Sequence, residues 1–597
     1  MDARPVAAAP PAPFREAKLL PVDLDVERRA DGTILITSRV PLRPYEANIP
    51  AAFARRAEQS GDKPALARRG ADGEWVFTSF AQLKRDMDAA TQWLMDQPET
   101  GPVLVLASNT PAFAVMSFAA QASGRAVCPV STTYAALGGD YGRLAHVIAK
   151  VKPAVVFAED SALAAGALDT LDLGGAKIIT TDPSRLTRPA TSYAEVLATT
   201  PTDQVAKSIA GLKPQDRAAL MLTSGSTGLP KVVPITFDNL AANSAQCQQT
   251  IGEAAGWHDV MLDWLPWHHA AGAFVLRTTL LEGGTLYIDD GKPAPGLFET
   301  SLRNLREISV SYFNNVPLGY TMLVEALEKD PALRATFFKK MRLMLYGGAG
   351  LSQTVHDRLQ AAAVAETDHR IMMTSGYGMT ETVSAFMVIH FETDKVGIGL
   401  PAPGTTVKLA PSGDRYEVRA RGPNVTTGYL DEPEKTAAAF DEEGFYRTGD
   451  LAVFHDPEDP TKGLAFAGRA AEEFKLSSGT WVYGGALRDG LIKALSPLVL
   501  DLVLCDDGRP YLGVMLWPTA GADPAEVARR LAAFNREQHG GAARVKRALL
   551  LSEPPSANAH EISDKGTINR RAVIDRRADQ VDRLFAETPD EGVMVLG

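Results

Sequence analysis

From about Asn48 to residue 465, short apolar runs alternate with stretches of helical spacing, and this alternation constrains the fold most strongly. Val103-Leu-Val-Leu-Ala107 is apolar throughout, the pattern of a buried strand. Asn109-Thr-Pro follows as a turn and cap, and an apolar helix is predicted through Ala119. Ala154-Val-Val-Phe157 and Lys177-Ile-Ile-Thr180 repeat the strand theme. Met341 to Tyr346 gives a further strand, which ends in Gly347-Gly-Ala-Gly350. Strands and helices in alternation predict an α/β fold.

A chain of 597 residues exceeds what one hydrophobic core serves, so at least two domains are expected. Residues 1–45 read as an arm with strand character at Thr33-Ile-Leu-Ile-Thr-Ser38. A large unit follows over 46–469 and a small one over 470–597. In the small unit, strands at Leu500–Leu504 and Tyr511–Trp517 flank the turn Asp506-Asp-Gly-Arg-Pro510. Charged helices are predicted over Asp523–His539 and Val573–Phe585.

The charge balance of 61 Lys+Arg against 72 Asp+Glu, net −11, argues against nucleic acid or an anionic membrane as partner. No apolar run reaches the roughly 18 residues of a spanning helix. The start of the chain, rich in Ala and Pro, has no apolar core of a signal peptide, and a cytoplasmic location is expected. Cys128, Cys247 and Cys505 are odd in number and far apart, so they are expected to be buried and reduced. His268-His269 has no third ligand at metal spacing, which argues against zinc.

The segment richest in chemistry is Leu222-Thr-Ser-Gly-Ser-Thr-Gly-Leu-Pro-Lys231. Small hydroxyl residues and two glycines after an apolar run form a loop whose N–H groups can face an anion. Thr223, Ser224, Ser226 and Thr227 add hydroxyl donors around Gly225 and Gly228, and Lys231 adds a charge. Pro230 stands where a Walker A loop needs glycine, and Ser224 stands where a hydrolase elbow needs glycine, so neither applies.

This loop resembles the phosphate loop of acyl-adenylate-forming enzymes, and further motifs of that family follow in order. Tyr377-Gly378-Met-Thr-Glu381 is similar to its adenine and magnesium motif, which implies that Thr380 contacts the α-phosphate and Glu381 holds Mg²⁺. Gly348 and Ala349 join the nucleotide set by the same resemblance. Tyr446-Arg-Thr-Gly-Asp450 resembles the ribose motif, with Asp450 accepting both ribose hydroxyls, and Gly468-Arg469 opens the hinge. Leu265-Pro-Trp-His-His269 matches the motif whose histidine is His269. The implied architecture is a large adenylate-forming domain of several α/β subdomains plus a small mobile α+β C-terminal domain. The implied reactants are ATP, Mg²⁺, coenzyme A and a small carboxylic acid.

Two positions depart from the family pattern. The hinge carries Ala471 where Asp or Lys is usual. The C-terminal run Asp564-Lys-Gly-Thr-Ile-Asn-Arg570 puts Lys565 five residues before the arginine and Thr567 at the usual lysine position. Lys565 remains the candidate catalytic lysine. Phe474-Lys-Leu-Ser-Ser-Gly-Thr-Trp-Val482, Ile562–Arg570 and Leu42–Pro50 resemble bacterial feruloyl-CoA synthases, which implies ferulate or a related hydroxycinnamate as the acid. Ala271 and Gly347 are candidate pocket residues, with Tyr312 and Asn315 as polar contacts to a phenol. Ser478, Gly479 and Trp481 would line a pantetheine tunnel, for coenzyme A or a carrier protein. Trp264 and Trp267 read equally as pocket walls or core. A fatty acid–CoA ligase and a non-catalytic nucleotide-binding homologue stand as alternatives, and the sequence is silent on oligomeric state.

Overall fold

The apolar runs read from the sequence form the middle of a seven-stranded sheet. Val103–Leu106, Val127–Val130, Val155–Ala158 and Lys177–Thr180 lie parallel, and the hairpin Arg217–Thr223 and Lys231–Thr236 completes one side. The first three of these strands are buried at every position, which is why an apolar residue is required at each. Helix Pro111–Ala122 follows the first strand, capped by Thr110, whose hydroxyl accepts the Phe113 N–H at 3.1 Å. The computed structural model describes residues 11–596 except 137–140, 224–228, 295, 471–472, 476–480, 506–508, 520, 539–542, 557–558, 560 and 562–567; at 473–475, 481–483, 486 and 489 it describes backbone alone.

A five-stranded sheet begins with parallel strands Tyr312–Asn315, Leu343–Gly347 and Met372–Gly378, with Ala385–Val388 returning antiparallel. Its parallel strands end together, Gly347 facing Gly376 in register. Such carboxyl ends are where open α/β sheets place ligands. A smaller sheet pairs Val260–Asp263, Thr285–Ile288 and Pro64–Arg69 in parallel, with Trp75–Ser79 antiparallel.

The strand character expected at Thr33–Ser38 is present, and it belongs to a sheet. Leu24–Arg28 and Ile34–Ser38 are the first two strands of a six-stranded antiparallel sheet that continues through Thr406–Ser412, Arg415–Arg421, Tyr446–Phe454 and Leu464–Arg469. Ile34 and Ile36 point into a core with Phe386, Met387 and Val407. Their alternation needed a partner, and that partner lies about 370 positions along the chain, at Thr37 opposite Thr406. Arg29 reaches Glu443 at 2.9 Å, in the loop before Tyr446. Arg15 donates to the Phe338 and Met341 carbonyls at 2.7 and 2.8 Å, so the segment is anchored well before its first long strand.

Near the C-terminus, the expected hairpin is present as Val499–Cys505 and Leu512–Pro518, joined in one sheet by Val545–Leu550 and Val593–Val595. The Asp523–His539 prediction is met by helix Pro524–Glu537, with Asp523 as its cap. The single tail helix expected over Val573–Phe585 is two helices, Arg570–Arg576 and Ala578–Phe585. Arg577 breaks them because its guanidinium turns inward to the buried Glu561, donating from Nε at 2.6 Å and Nη2 at 2.9 Å.

All three cysteines are buried and none is in a disulfide among the described residues, and burial pushes the Cys128 and Cys247 thiols up to about 12, away from any nucleophilic role. Among the described residues, no helix is long and apolar enough to cross a membrane, and no group of three His, Cys, Asp or Glu side chains is placed to hold a metal.

Candidate active site

Lys231 and Thr223 face each other as partners on two antiparallel strands of the seven-stranded sheet, and the Ser- and Gly-rich segment lies between them in the chain. Ser224, Gly225, Ser226, Thr227 and Gly228 lie outside the described residues. The Lys231 ammonium sits 4.0 Å from the centre of the Tyr429 ring. Burial lowers its pKa, and the nearby Glu381 carboxylate opposes that shift.

Glu381 lies on the short 3₁₀ turn Thr380–Thr382 that follows strand Met372–Gly378, and it is 4% exposed. The Tyr429 hydroxyl donates to its Oε1 at 2.9 Å, and the Tyr446 hydroxyl lies 3.1 Å from that of Tyr429. The turn is held tightly. A side chain on Gly378 would fall 1.9 Å from the Ser384 carbonyl, so only glycine fits there. Val383 ends the turn at φ +67°, a left-handed conformation costly for a β-branched residue. Thr426 N–H donates to the Glu381 carbonyl at 2.9 Å and Asn424 Nδ2 to the Thr382 carbonyl at 3.1 Å, which secures it.

A second cluster lies on the six-stranded sheet. Asp450 and Arg469 are partners in register, and Arg469 Nε donates to Asp450 Oδ1 at 3.1 Å. The Tyr377 hydroxyl donates to Oδ2 at 3.0 Å. Burial raises the Asp450 pKa, and Arg469 pulls it back. Burial, and then the Asp450 charge, drives the Tyr377 phenol far up, so it stays a donor. The two clusters share elements: Tyr446 and Asp450 are on one strand, and Tyr377 leads directly into the Glu381 turn. They place a lysine, two carboxylates and an arginine on neighbouring elements. Such a set can bind a phosphorylated ligand with a polyol portion.

His269 caps helix Ala270–Glu282, its N–H donating to the Pro266 carbonyl at 3.0 Å and its ring 4.3 Å from that of His268. Gly272 allows this helix to start hard against the Leu265–Pro266 backbone, since a side chain there would meet the Pro266 oxygen at 2.3 Å. Ala271, Gly348 and Ala349 are exposed, and Gly347 is half-buried beside the Gly376 carbonyl. Trp267 is core, packed edge-on against Phe113. Trp264 donates from Nε1 to Asn315 Oδ1 at 3.1 Å.

Tyr312 and Asn315, the polar contacts expected for a phenol, are both buried. Asn315 already uses its oxygen for Trp264 and for the Val316 N–H, and Tyr312 is buried with its ring against Trp257. Both are part of the packed sheet and are not on an open face. Lys565, Thr567, Ser478 and Gly479 lie outside the described residues. Of Trp481 only the backbone is described, in a strand pairing with Lys475. The residue that sequence reasoning missed is Tyr429. No spacing or composition cue marks it, because its partners Lys231 and Glu381 are 198 and 48 positions away.

The profile of AMP-binding enzymes matches residues 53–430, and that of the AMP-binding enzyme C-terminal domain matches residues 476–589. The chain belongs to the AMP-binding enzyme family. It is 30% identical over 246 residues to 2-succinylbenzoate–CoA ligase from Staphylococcus aureus, a match covering 40% of this chain and 45% of that protein. The chain thus spans under half the length of that relative. It is 26% identical to 4-coumarate–CoA ligase from Pinus taeda over 71% of this chain and 76% of that one. Among solved structures, it superposes on the adenylation domain of carboxylic acid reductase from Segniliparus rugosus, in complex with AMP and a co-purified carboxylic acid. That match has a TM-score of 0.70 at 20% identity and covers 90% of this chain and 94% of that one. ATP-bound MatB from Rhodopseudomonas palustris gives 0.66 at 23%, covering 90% and 99%. At these identities the likeness establishes the adenylate-forming fold: a large α/β N-terminal domain with a small C-terminal domain.

Proposed function

We propose that the chain is an AMP-forming acid–CoA ligase that acts on ferulate and related hydroxycinnamates. The observation that carries this reading is the preformed Tyr377–Asp450–Arg469 cluster beside Lys231 and Glu381. In this reading Asp450 accepts the ribose hydroxyls of ATP, and Arg469 and Tyr377 hold its carboxylate in place. Thr223, the loop Ser224–Gly228 and Lys231 take the phosphates, with Gly348, Ala349 and Gly378 beside the base. A single buried carboxylate suits magnesium, which keeps most of its shell for phosphate and water, and Glu381 would hold it. Bound there, the ion would neutralise charge on the phosphates.

A carboxylate is a poor electrophile because oxide is a poor leaving group. Attack of its oxygen on the α-phosphorus of ATP breaks the bond to pyrophosphate and leaves an acyl-AMP. Negative charge spreads over the phosphoryl oxygens in that transition state, where Thr380, Lys231 and Lys565 stabilise it. His269 orients the acid at the mouth of its helix. The thiol of coenzyme A then attacks the acyl carbon and expels AMP. No protein nucleophile is required, in keeping with cysteines held inert by burial. Residues 46–469 would form the large domain and 470–597 the small one, which brings Lys565 for adenylation and Ser478, Gly479 and Trp481 for the thiol.

The choice of acid is supported by the feruloyl-CoA synthase resemblance and by similarity to a protein named as a 4-coumarate–CoA ligase. Incubating the chain with ATP, magnesium and coenzyme A against ferulate, p-coumarate and decanoate tests it. Thioester and AMP are expected with the first two acids. Activity on decanoate alone would favour a fatty acid–CoA ligase.

A further inference from the structure

Helix Gly142–Val151 supplies no group to the chemistry set out above, yet it grips the chain at two places beside the Lys231–Tyr429 contact. Leu144, Val147, Ile148 and Val151 recur at helical spacing and are buried in one core with Leu220 and Val232, and Leu430 packs against that core. His146 and Lys150, four residues apart, are neighbours on another face of the helix. His146 Nε2 lies 3.0 Å from the Pro230 carbonyl, and a carbonyl has no proton to give, so the ring nitrogen donates. One turn further on, Lys150 Nζ donates to the Asp431 carbonyl at 3.3 Å and pairs with Glu432 at 3.5 Å.

The two gripped segments are the ones that bring Lys231 and Tyr429 together. Pro230 immediately precedes Lys231, and Asp431 follows Tyr429 by two residues. Between these grips the segments are stitched to each other: the Leu430 N–H donates to the Val232 carbonyl at 2.9 Å, and the Thr426 hydroxyl to the Pro234 carbonyl at 2.7 Å. Asp431 has φ +50°, a left-handed conformation that persists where its surroundings fix it, and its carbonyl is the one Lys150 holds. A lysine ammonium rides on a flexible four-carbon stem. Where it rests therefore depends on the backbone it leaves and on the ring it meets. His146 fixes the first and Lys150 the second.

We propose that His146 and Lys150 are positioning residues that hold the Lys231 ammonium where the phosphates of ATP arrive. This rests on the reading of Lys231 as a phosphate ligand in an AMP-forming ligase. Neither side chain contacts the nucleotide in this role. Each acts through the backbone beside Lys231 or Tyr429.

The test is ATP–pyrophosphate exchange, run with whichever of ferulate, p-coumarate and decanoate the chain uses, in wild type, His146→Leu, His146→Gln and Lys150→Met. His146→Leu should lower kcat/KM for ATP by about three- to tenfold, the net effect of one hydrogen bond, with KM for the acid within about twofold of wild type. His146→Gln keeps a donor and should return to within about twofold of wild type. Lys150→Met should cost about two- to fivefold, as a partly exposed pair does when Lys435 also reaches the same carboxylate. In a Lys231→Met background the His146→Leu step should cost under about twofold, because the group it positions is gone. An unchanged kcat/KM for ATP in His146→Leu overturns the inference, as do KM values for ATP and acid that rise together or an equal cost in both backgrounds. If the leucine variant does not fold, Lys150→Met carries the test, and wild-type behaviour there overturns it. Each of these results leaves the ligase reading standing. Absence of exchange in wild type with all three acids overturns that reading and this inference together.

Discussion

Replacing Tyr429 with phenylalanine removes one oxygen from the centre of the proposed site while leaving the rest of the side chain in place. That oxygen donates to Glu381 Oε1 at 2.9 Å, and the ring beneath it faces the Lys231 ammonium at 4.0 Å. A hydrogen bond to a charged group contributes about 1.5–3 kcal/mol, and at roughly 1.4 kcal/mol per factor of ten its loss corresponds to about 10- to 150-fold. Because the ring stays, Lys231 keeps its aromatic contact in Tyr429→Phe. Tyr429→Leu gives up that contact as well, a further ~0.5–2 kcal/mol. ATP–pyrophosphate exchange, titrated with magnesium, reads adenylation alone. Tyr429→Phe should lower exchange and raise the magnesium concentration needed for half-maximal rate, and Tyr429→Leu should lower exchange again. Exchange within about twofold of wild type in both variants, less than one such bond supplies, would show that Tyr429 does not orient Glu381.

Asp450→Asn keeps the shape of the side chain but removes the charge held by Arg469 and Tyr377; ATP binding measured by calorimetry should weaken by at least about tenfold, the effect of one charge-assisted bond. Wild type should also discriminate against 2′-deoxy-ATP, and Asp450→Asn should lose much of that discrimination. Burial lowers the Lys231 pKa, and its protonated form is the one that serves phosphate, so kcat/KM for ATP should decline as pH rises, on a limb below the ordinary lysine value of 10.5; Lys231→Arg should move that limb upward, and an unmoved limb would assign it to another group. Ile36→Ala, in the N-terminal hairpin, should cost about 2–5 kcal/mol of stability in a thermal or urea melt, as a buried isoleucine does and a loose arm would not. Lys565→Ala should abolish adenylation while sparing thioester formation from supplied acyl-AMP, and wild-type-like exchange would point to another lysine.

Local chemistry was readable in the sequence. Tyr377, Glu381, Asp450 and Arg469 stand out because each sits beside glycines that the backbone needs: Gly378 under the Ser384 carbonyl, and Gly449 and Gly468 at positive φ. The buried strands at 103–106 and 155–158 stand out because both faces must be apolar. What was hidden depends on distant pairing. The strand at Ile34–Ser38 was visible, but nothing near it names Thr406–Ser412 as its partner. Tyr429 has no local pattern at all. Tyr312 and Asn315 stood out as polar residues ahead of Val316-Pro317, and the fold shows that both are buried.

The central claim is tested most directly by the nucleotide products formed from purified chain, ATP, magnesium, coenzyme A and ferulate. The account predicts AMP and pyrophosphate in equal amounts with one feruloyl thioester per AMP, and acyl-AMP accumulating when coenzyme A is withheld. Formation of ADP and phosphate, or no acid-dependent AMP across aromatic and aliphatic acids, would contradict it.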